Sequence, residues 1–599
     1  MEYTRTYSIR KGEYFADALK RAGKEFIPTN CIINKLLPGL GATHCELIAP
    51  RKSIIIEPNV PVIESKAKKH KNALAVYKGV TVRKIIDFLE DNHDRHYKLL
   101  TTPEGFAKIK EAMQTVGIDM YEECFILFDE CEKLVQDVHY RDSIREPMND
   151  FFLFQNKALI SATPIIPEKD NRFDGFARVL IQPDYAYRQK LKLITTNNVL
   201  ETLQEVIEAK RGTVCIFCNS IDSIDSFYRL IPELSNACTF CSEDGQYKLW
   251  KGNRRKKSMM ITELERYNFF TSRFYSAVDI ISPNPPHVIF ISDLFGATQS
   301  VIDPATEAIQ IIGRFRGGVN SVTHIASIRP DLECMSSTEI DDWIRGASTV
   351  YNNWKSQLAR TSNIGERTLL QEAIGENSYL PYLDDKGKPD PFLIANFYEK
   401  EQVKRLYTST DLLRDAYRQT DYFVFSHEER LMPVSDNERM AIQHRLAKKK
   451  RAELIVRKLE EMEKMSRTTD KKLQKRYQRM LGNLITSTAD RYIYDCFCCF
   501  GADFIRQSDY NENKLRTALN VSSEHTIKKS AQMRISIQRT FPIGSELSVQ
   551  EAKSMLKQVY KKMGLNTGRG ITTKELEQYA EIENGWKHDY RTVKILNFK

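Results

Sequence analysis

The residues best suited to chemistry lie in four short stretches, and all four suit the handling of a phosphate chain. Phe125-Ile126-Leu127-Phe128 is an apolar run that ends in Asp129-Glu130-Cys131-Glu132. A buried strand ending this way puts Asp129 where it can hold Mg²⁺ beside a phosphate, and Glu130 where it can orient or deprotonate an attacking water. Some thirty residues on, Leu159-Ile160 leads into Ser161-Ala162-Thr163, whose two hydroxyls can hydrogen-bond the carboxylate pair. Further along, Gln310-Ile311-Ile312-Gly313-Arg314-Phe315-Arg316 sets two arginines beside a glycine, which suits charge stabilisation at a transferring phosphoryl group. The fourth stretch runs from Asn34 to His44. Against the phosphate-loop pattern G-x-x-x-x-G-K-[ST], Gly41 and Thr43 fit, whereas Leu36 stands at the first glycine and Ala42 at the lysine. Gly39 and Gly41 can still offer backbone N–H groups to phosphate, and Thr43 can still ligate Mg²⁺. The ammonium is missing. Lys35, seven residues before Ala42, is the substitute this reading offers, the alternative being a structural lysine.

The elements that must carry these groups alternate. β-rich runs at Cys31-Ile32-Ile33, Ser53–Ile56, Lys98-Leu99-Leu100, Phe125–Phe128 and Ala158-Leu159-Ile160 are separated by helix-length segments. Runs apolar on both faces with such spacing predict a parallel sheet covered by helices. A second block follows with Thr213–Phe217, Ala237–Phe240, Tyr267–Phe270 and Val288–Ile291, and the boundary falls between Pro183 and Thr196. Beyond Ser348 the pattern turns helical and charged. The expected organisation is an α/β domain at 1–190, a second at 191–347, a helical region with a basic arm at 348–540 and a small module at 541–599. In that last module Ser548 and Glu551, then Thr572 and Glu575, fit the capping-box spacing for two helices, and Val593, Ile595 and Phe598 approach strand alternation. Helix, helix, strand is compatible with a winged-helix module and equally with a packing cap.

In order and spacing these segments resemble motifs I, II, III and VI of superfamily 2 helicases, the DEAD/DEAH-like group. Intermediate pieces fit as well: Ile56–Asn59 as motif Ia, Thr101–Gly105 as Ib, Ile216–Ser220 as IV, and Phe270–Arg273 running on to Asp279 as V. The likeness spans residues 25–345 and leans towards helicase-like proteins of phages and mobile elements. It implies two tandem RecA-like domains, ATP and Mg²⁺ as cofactors, and nucleic acid, DNA before RNA, as partner, with replication proteins as further candidates. By position Asp129 and Thr43 would hold the metal, Gly39, Gly41, Thr43 and Lys35 the nucleotide, and Glu130, Gln310, Arg314 and Arg316 would serve catalysis. Ser161 and Thr163 would couple closure to the strand, and Thr101, Thr102, Asn219 and Thr271 would line its backbone track. Motif VI departs from the family because Gly317 stands at its last arginine, so Arg314 is the firmer finger. The loop's missing lysine keeps a second reading open, that of an ATPase-deficient nucleic-acid-binding or scaffold protein.

Composition bounds the remainder. The chain has 599 residues, 41% hydrophobic and 28% charged, with a formal net charge of +10. That balance is too apolar for wholesale disorder, and no run approaches a membrane span. Met1–Lys20 lacks an apolar signal core and the twelve cysteines are sparse, so the expectation is a cytoplasmic protein, in a bacterial host for a phage or mobile element. Nearly all of the excess charge lies between Ala441 and Met480, with fourteen Lys and Arg against five Asp and Glu. Lys448, Lys449, Lys450 and Arg451 begin an amphipathic helix there, either a solvated arm or a phosphate-contacting surface. Cys215-x₂-Cys218 and Cys238-x₂-Cys241 imitate a zinc spacing, but residues three apart in a strand point to opposite faces, so no zinc is expected. A helix-turn-helix within Asn513–Thr540, turning at Val521-Ser522-Ser523, is a weaker signal.

Overall fold

The computed structural model describes residues 3–250, 256–258, 260–261, 263–276, 279–442, 446–466, 470–484, 490–565, 567, 570–587 and 589–599. The side chains of Lys471, Lys472 and Lys475 of the basic arm, and Arg467, lie outside the described residues.

Residues 1–436 build two parallel sheets in tandem. The first comprises β1 (Arg5–Ile9), β2 (Cys31–Asn34), β3 (Ser53–Ile56), β4 (Ala73–Val76), β5 (Lys98–Thr101), β6 (Phe125–Asp129), β7 (Asn156–Ser161) and β8 (Ala177–Pro183), in the order β1-β8-β2-β7-β6-β3-β5-β4. The second comprises β9 (Gln189–Thr196), β10 (Val214–Phe217), β11 (Cys238–Phe240), β12 (Lys256–Ser258), β13 (Tyr267–Phe270), β14 (His287–Ser292), β15 (Ser321–Ser327) and β16 (Phe423–Arg430), in the order β12-β11-β13-β10-β14-β15-β9-β16. Central strands are buried on both faces: every residue of β3, β6, β10 and β14 is buried. That is why they read as unbroken apolar runs, and why crossover helices must cover each face. The architecture is the expected one, two tandem parallel α/β domains followed by a mainly helical region.

Parallel strands all end on one edge, and this is what gathers the chemistry. β2, β7, β6 and β3 occupy the four central positions of the first sheet, with β7 and β6 adjacent and β2 and β3 flanking them. Residues following each of the four therefore meet along one edge.

The stretch after 348, expected to be mainly helical, also returns a strand to the second sheet. β16 pairs with β9 from Phe423↔Gln189 to Arg430↔Thr196. Its alternating exposure gave a weaker signal than the buried strands. Before it, the helix Pro391–Leu406 spans both domains. Phe392 and Leu393 pack into the first domain's core, and Val403 and Tyr407 into the second's. Asn396 Nδ2 donates to Val135 O at 2.8 Å and Tyr407 Oη to Ile302 O at 2.7 Å. The two domains are thus joined by a strut as well as by the linker at 184–188.

Residues 437–599 form a separate compact unit. The helix Lys448–Ser466 buries Ala452, Ile455, Val456, Leu459 and Met462. Three of its four leading cations are paired inside that unit: Lys448 with Glu512, Lys449 with Asp509 at 2.6 Å, and Arg451 with Asp490 at 3.1 Å. The chain stays helical from Glu512 to Lys529, so the turn expected at Val521–Ser523 does not occur; the break comes at Ser530, which caps Ala531–Thr540. The C-terminal residues close a three-stranded antiparallel sheet, β17 (Glu546–Ser548), β18 (Ala580–Lys587) and β19 (Tyr590–Phe598), ordered β17-β19-β18. Ser548 and Glu551 form the capping box of Val549–Lys562 as expected, whereas Thr572 opens only a 3₁₀ turn. No helix among the described residues is long and apolar enough to cross a membrane.

Candidate active site

Each sequence-selected group of the first domain sits at the end of a strand or on the segment that follows it. After β2 the chain loops through Lys35–Gly41 into the helix Ala42–Ile48. The loop bends through positive φ at Leu36 (52°), Gly39 (81°) and Gly41 (78°). Leu36, a non-glycine, bears the strain that the missing first glycine would have relieved. Asp129 ends β6, and Glu130 follows at φ 53°. A left-handed non-glycine residue costs on the order of 1–3 kcal/mol and is retained where surrounding structure fixes it. Here the fixing contacts come from both domains.

Thr43 Oγ1 donates to Asp129 Oδ2, and Lys35 Nζ donates to Asp129 Oδ1 at 3.2 Å and lies 3.9 Å from Glu130 Oε1. Burial opposes ionisation of Asp129, but Lys35 and then Lys66 overcome it and hold the carboxyl at about 2. Glu130 is likewise opposed by burial and kept ionised below the usual range by Lys35 and Arg314. Two hard oxygens, the Asp129 carboxylate and the Thr43 hydroxyl, are hydrogen-bonded to one another, and by their chemistry the two donors suit Mg²⁺.

The second domain reaches the same acids. Gln310 and Arg314 lie on and just past the helix Glu307–Gly313, and both are buried. Gln310 Nε2 donates to Glu130 Oε2 (3.3 Å), Glu132 Oε1 (3.1 Å) and Thr163 Oγ1 (3.0 Å). Its Oε1 accepts from Arg314 Nη2 at 2.9 Å, and Arg314 Nε donates to Gln310 O at 3.1 Å. These partners fix the amide's orientation, since every front-domain neighbour is an oxygen and the neighbour behind is a donor. Arg314 Nη2 stands 3.8 Å from Glu130 Oε1. Ser161 Oγ accepts from Thr163 N at 2.9 Å, so the two hydroxyls stand in sequence behind the acids. Arg316 lies directly over Gly39: a Cβ there would overlap its guanidinium, and Asp279 Oδ1 anchors Arg316 Nε at 3.0 Å.

Three participants carried no role in the sequence reading. Glu132 accepts from Gln310 and is fully buried, and its Oε2 lacks a hydrogen-bond partner. Burial, then Glu130 beside it, raises Glu132 to about 8. Glu57 and Lys66 form a pair at 2.6 Å, with Lys66 Nζ also 2.9 Å from Thr43 Oγ1. The motif letters drew attention to Asp129-Glu130 and away from a third acid two residues on. Nothing in the linear spacing ties Lys66 to Thr43.

Glu132 gives a pH prediction. Its folded-state value of about 8 lies above the ordinary 4.5, so between those limits the folded chain holds a proton that the unfolded chain has released. Stability from this group is therefore complete below about 4.5 and lost as pH rises through 8. The melting temperature should fall between pH 6 and pH 8.5, and Glu132→Gln, permanently neutral, should flatten part of that fall in calorimetry. An identical slope in both proteins would show that Glu132 is already ionised.

The other selected residues divide. Asn219 and Thr271 line a cleft of about 540 Å³ between the domains, together with Asn59, Arg141, Lys248 and Arg273. Thr101 and Thr102 do not reach it: both are buried, and Thr101 Oγ1 is spent on Val76 O (3.1 Å) and Thr102 O (2.8 Å). They close the end of β5 against β4 and are removed from the strand-facing set. Cys215 and Cys238 pack in one core cluster of the second domain, and Cys218 and Cys241 in another.

No family model matches this sequence, and no curated protein matches it. Solved structures do. Yeast Dbp5 bound to RNA and ADP–BeF₃ is 12% identical and matches over 53% of this chain and 88% of its own, with a TM-score of 0.33. A DEAD-box protein of Methanococcus jannaschii is 14% identical over 52% of this chain and 90% of its own, with a TM-score of 0.29. The helicase domain of Pyrococcus furiosus Hef is 11% identical over 50% and 92%, with a TM-score of 0.30.

Proposed function

We propose that the chain is an ATP-dependent nucleic-acid translocase or helicase, with ATP between its two sheets and a strand across both. The observation that carries this reading is the meeting of Gln310 and Arg314 with Glu130, Glu132 and Thr163 across the domain boundary. A site split in this way makes hydrolysis dependent on closure, and release of product reopens it. Asp129 and Thr43 would hold Mg²⁺, which when bound neutralises charge on the β- and γ-phosphates. Glu130, kept ionised, orients and accepts a proton from the attacking water. Arg314 has donors left over after Gln310 and faces the charge that develops on the transferring group. Gln310, touching Thr163 and the acids together, reports their state to the second domain. Asn219 and Thr271 supply an amide and a hydroxyl to phosphate oxygens, which position a strand without reading bases.

The substrate is DNA before RNA, and the setting is replication or recombination of a phage or mobile element; both follow from the family resemblance. Phosphate release from Mg²⁺-ATP, with and without single-stranded DNA or RNA, tests the reading against Glu130→Gln. Wild type should show strand-stimulated turnover and the variant ~10²-fold less or below. Equal background release from both would leave the ATPase-deficient binding protein, the reading that Ala42 at the lysine position favours.

A further inference from the structure

A phosphate loop without its lysine must find an ammonium elsewhere or go without one. Among the described residues two lysines approach the loop. Lys35 is spent on acids: its amine sits 3.2 Å from Asp129 and 3.9 Å from Glu130, and its side chain is 6% exposed. Lys66 arrives from another element, the last turn of the helix Val60–Ala67, which follows β3 on the neighbouring crossover. It meets the hydroxyl of Thr43, the residue next to Ala42, and its side chain is 31% exposed.

We propose that Lys66 supplies to the β- and γ-phosphates of a nucleoside triphosphate the positive charge absent at position 42, with Glu57 as its anchor. This rests on the nucleotide-site reading above. An ammonium has three donors. Thr43 Oγ1 takes one at 2.9 Å and Glu57 Oε1 another at 2.6 Å, which leaves one for a phosphate oxygen without breaking either contact. Glu57 is 4% exposed and fixed at the end of β3, its backbone N–H bonded to Thr101 O at 2.9 Å, so the anchor is rigid. Burial raises the Glu57 carboxyl to about 7, while Lys66 opposes that rise. Lys66 also helps to keep Asp129 ionised, so one side chain serves both the metal ligand and the phosphates.

Equilibrium dialysis of the full chain with Mg²⁺ and labelled ATP or AMP tests this apart from turnover. Lys66→Ala should weaken ATP binding ~10-fold or more and leave AMP binding unchanged, because the lost contact is to the outer phosphates. Placing the lysine back where loops of this kind carry it, in Ala42→Lys/Lys66→Ala, should recover most of the ATP affinity. Glu57→Gln/Lys66→Met, which leaves no buried charge unpaired, should bind ATP as weakly as Lys66→Ala while melting near wild type. Wild-type ATP affinity in folded Lys66→Ala or Glu57→Gln/Lys66→Met would overturn the role of Lys66 and leave the nucleotide site standing. Wild type with no ATP affinity at millimolar concentration would overturn both.

Discussion

Arg314→Ala should lower strand-stimulated ATP turnover by ~10³-fold or more, the range an arginine facing a transferring phosphoryl group commands. The melting temperature should change far less, because Glu130 keeps a second cation: Lys35 stays 3.9 Å away after Arg314 is gone. Arg314→Lys should recover little. Gln310 holds the guanidinium at two points, its backbone oxygen on Nε (3.1 Å) and its side-chain oxygen on Nη2 (2.9 Å), and a single ammonium cannot serve both and still face the site. Gln310→Ala loses the side-chain half of that hold and the three bonds to the front domain together. It should therefore resemble Arg314→Ala in turnover, and the double variant should be no worse than the single ones. Additive losses would mean that the two residues act separately. Single-turnover kinetics with protein in saturating excess over ATP makes the measurement, and near wild-type activity in Arg314→Ala would remove it from the chemistry.

The residues that make this test possible were legible from the sequence for a physical reason. Asp129 and Ser161 each end a strand and the loop after Asn34 follows one; these strands are buried over all or most of their length, and such strands announce themselves as short apolar runs. Where exposure alternates, as in β16, or where the strand lies at an edge, as in β1 and β4, the signal thinned and the element was missed. Thr101 shows the limit from the other side. A hydroxyl at a strand end reads the same whether it faces solvent or, as here, closes the backbone of β4. Lys66 and Glu132 were illegible because their roles arise from juxtaposition: one comes from a neighbouring crossover, and the other from burial that sets its protonation. In the basic arm, charge counted along the sequence overstated what is free, since Glu512, Asp509 and Asp490 answer three of the four leading cations.

The second large effect should come from a methyl group. Gly313 ends the helix Glu307–Gly313, and replacing a helical glycine with alanine ordinarily stabilises by ~1 kcal/mol. Here a Cβ would overlap Cβ and Cγ of Pro38 in the loop Lys35–Gly41. The proline ring cannot rotate away, and its loop is fixed on either side by Leu36 and Gly39 in left-handed conformations. The domains must then stand apart by about the overlap, and a displacement of ~1 Å between reacting groups costs ~10²-fold in rate. Gly313→Ala should accordingly lose ~10²-fold in turnover while its ATP affinity stays close to wild type, because the loop, Thr43 and Asp129 all lie in the front domain. Its melting temperature should hold or rise, which separates lost closure from lost folding. Pro38→Gly removes both overlapping atoms, so Pro38→Gly/Gly313→Ala should regain part of the rate that Gly313→Ala loses. Wild-type turnover in Gly313→Ala would mean that the contact between Pro38 and Gly313 is not kept during hydrolysis, and that the arginine and the acids act without this approach of the domains.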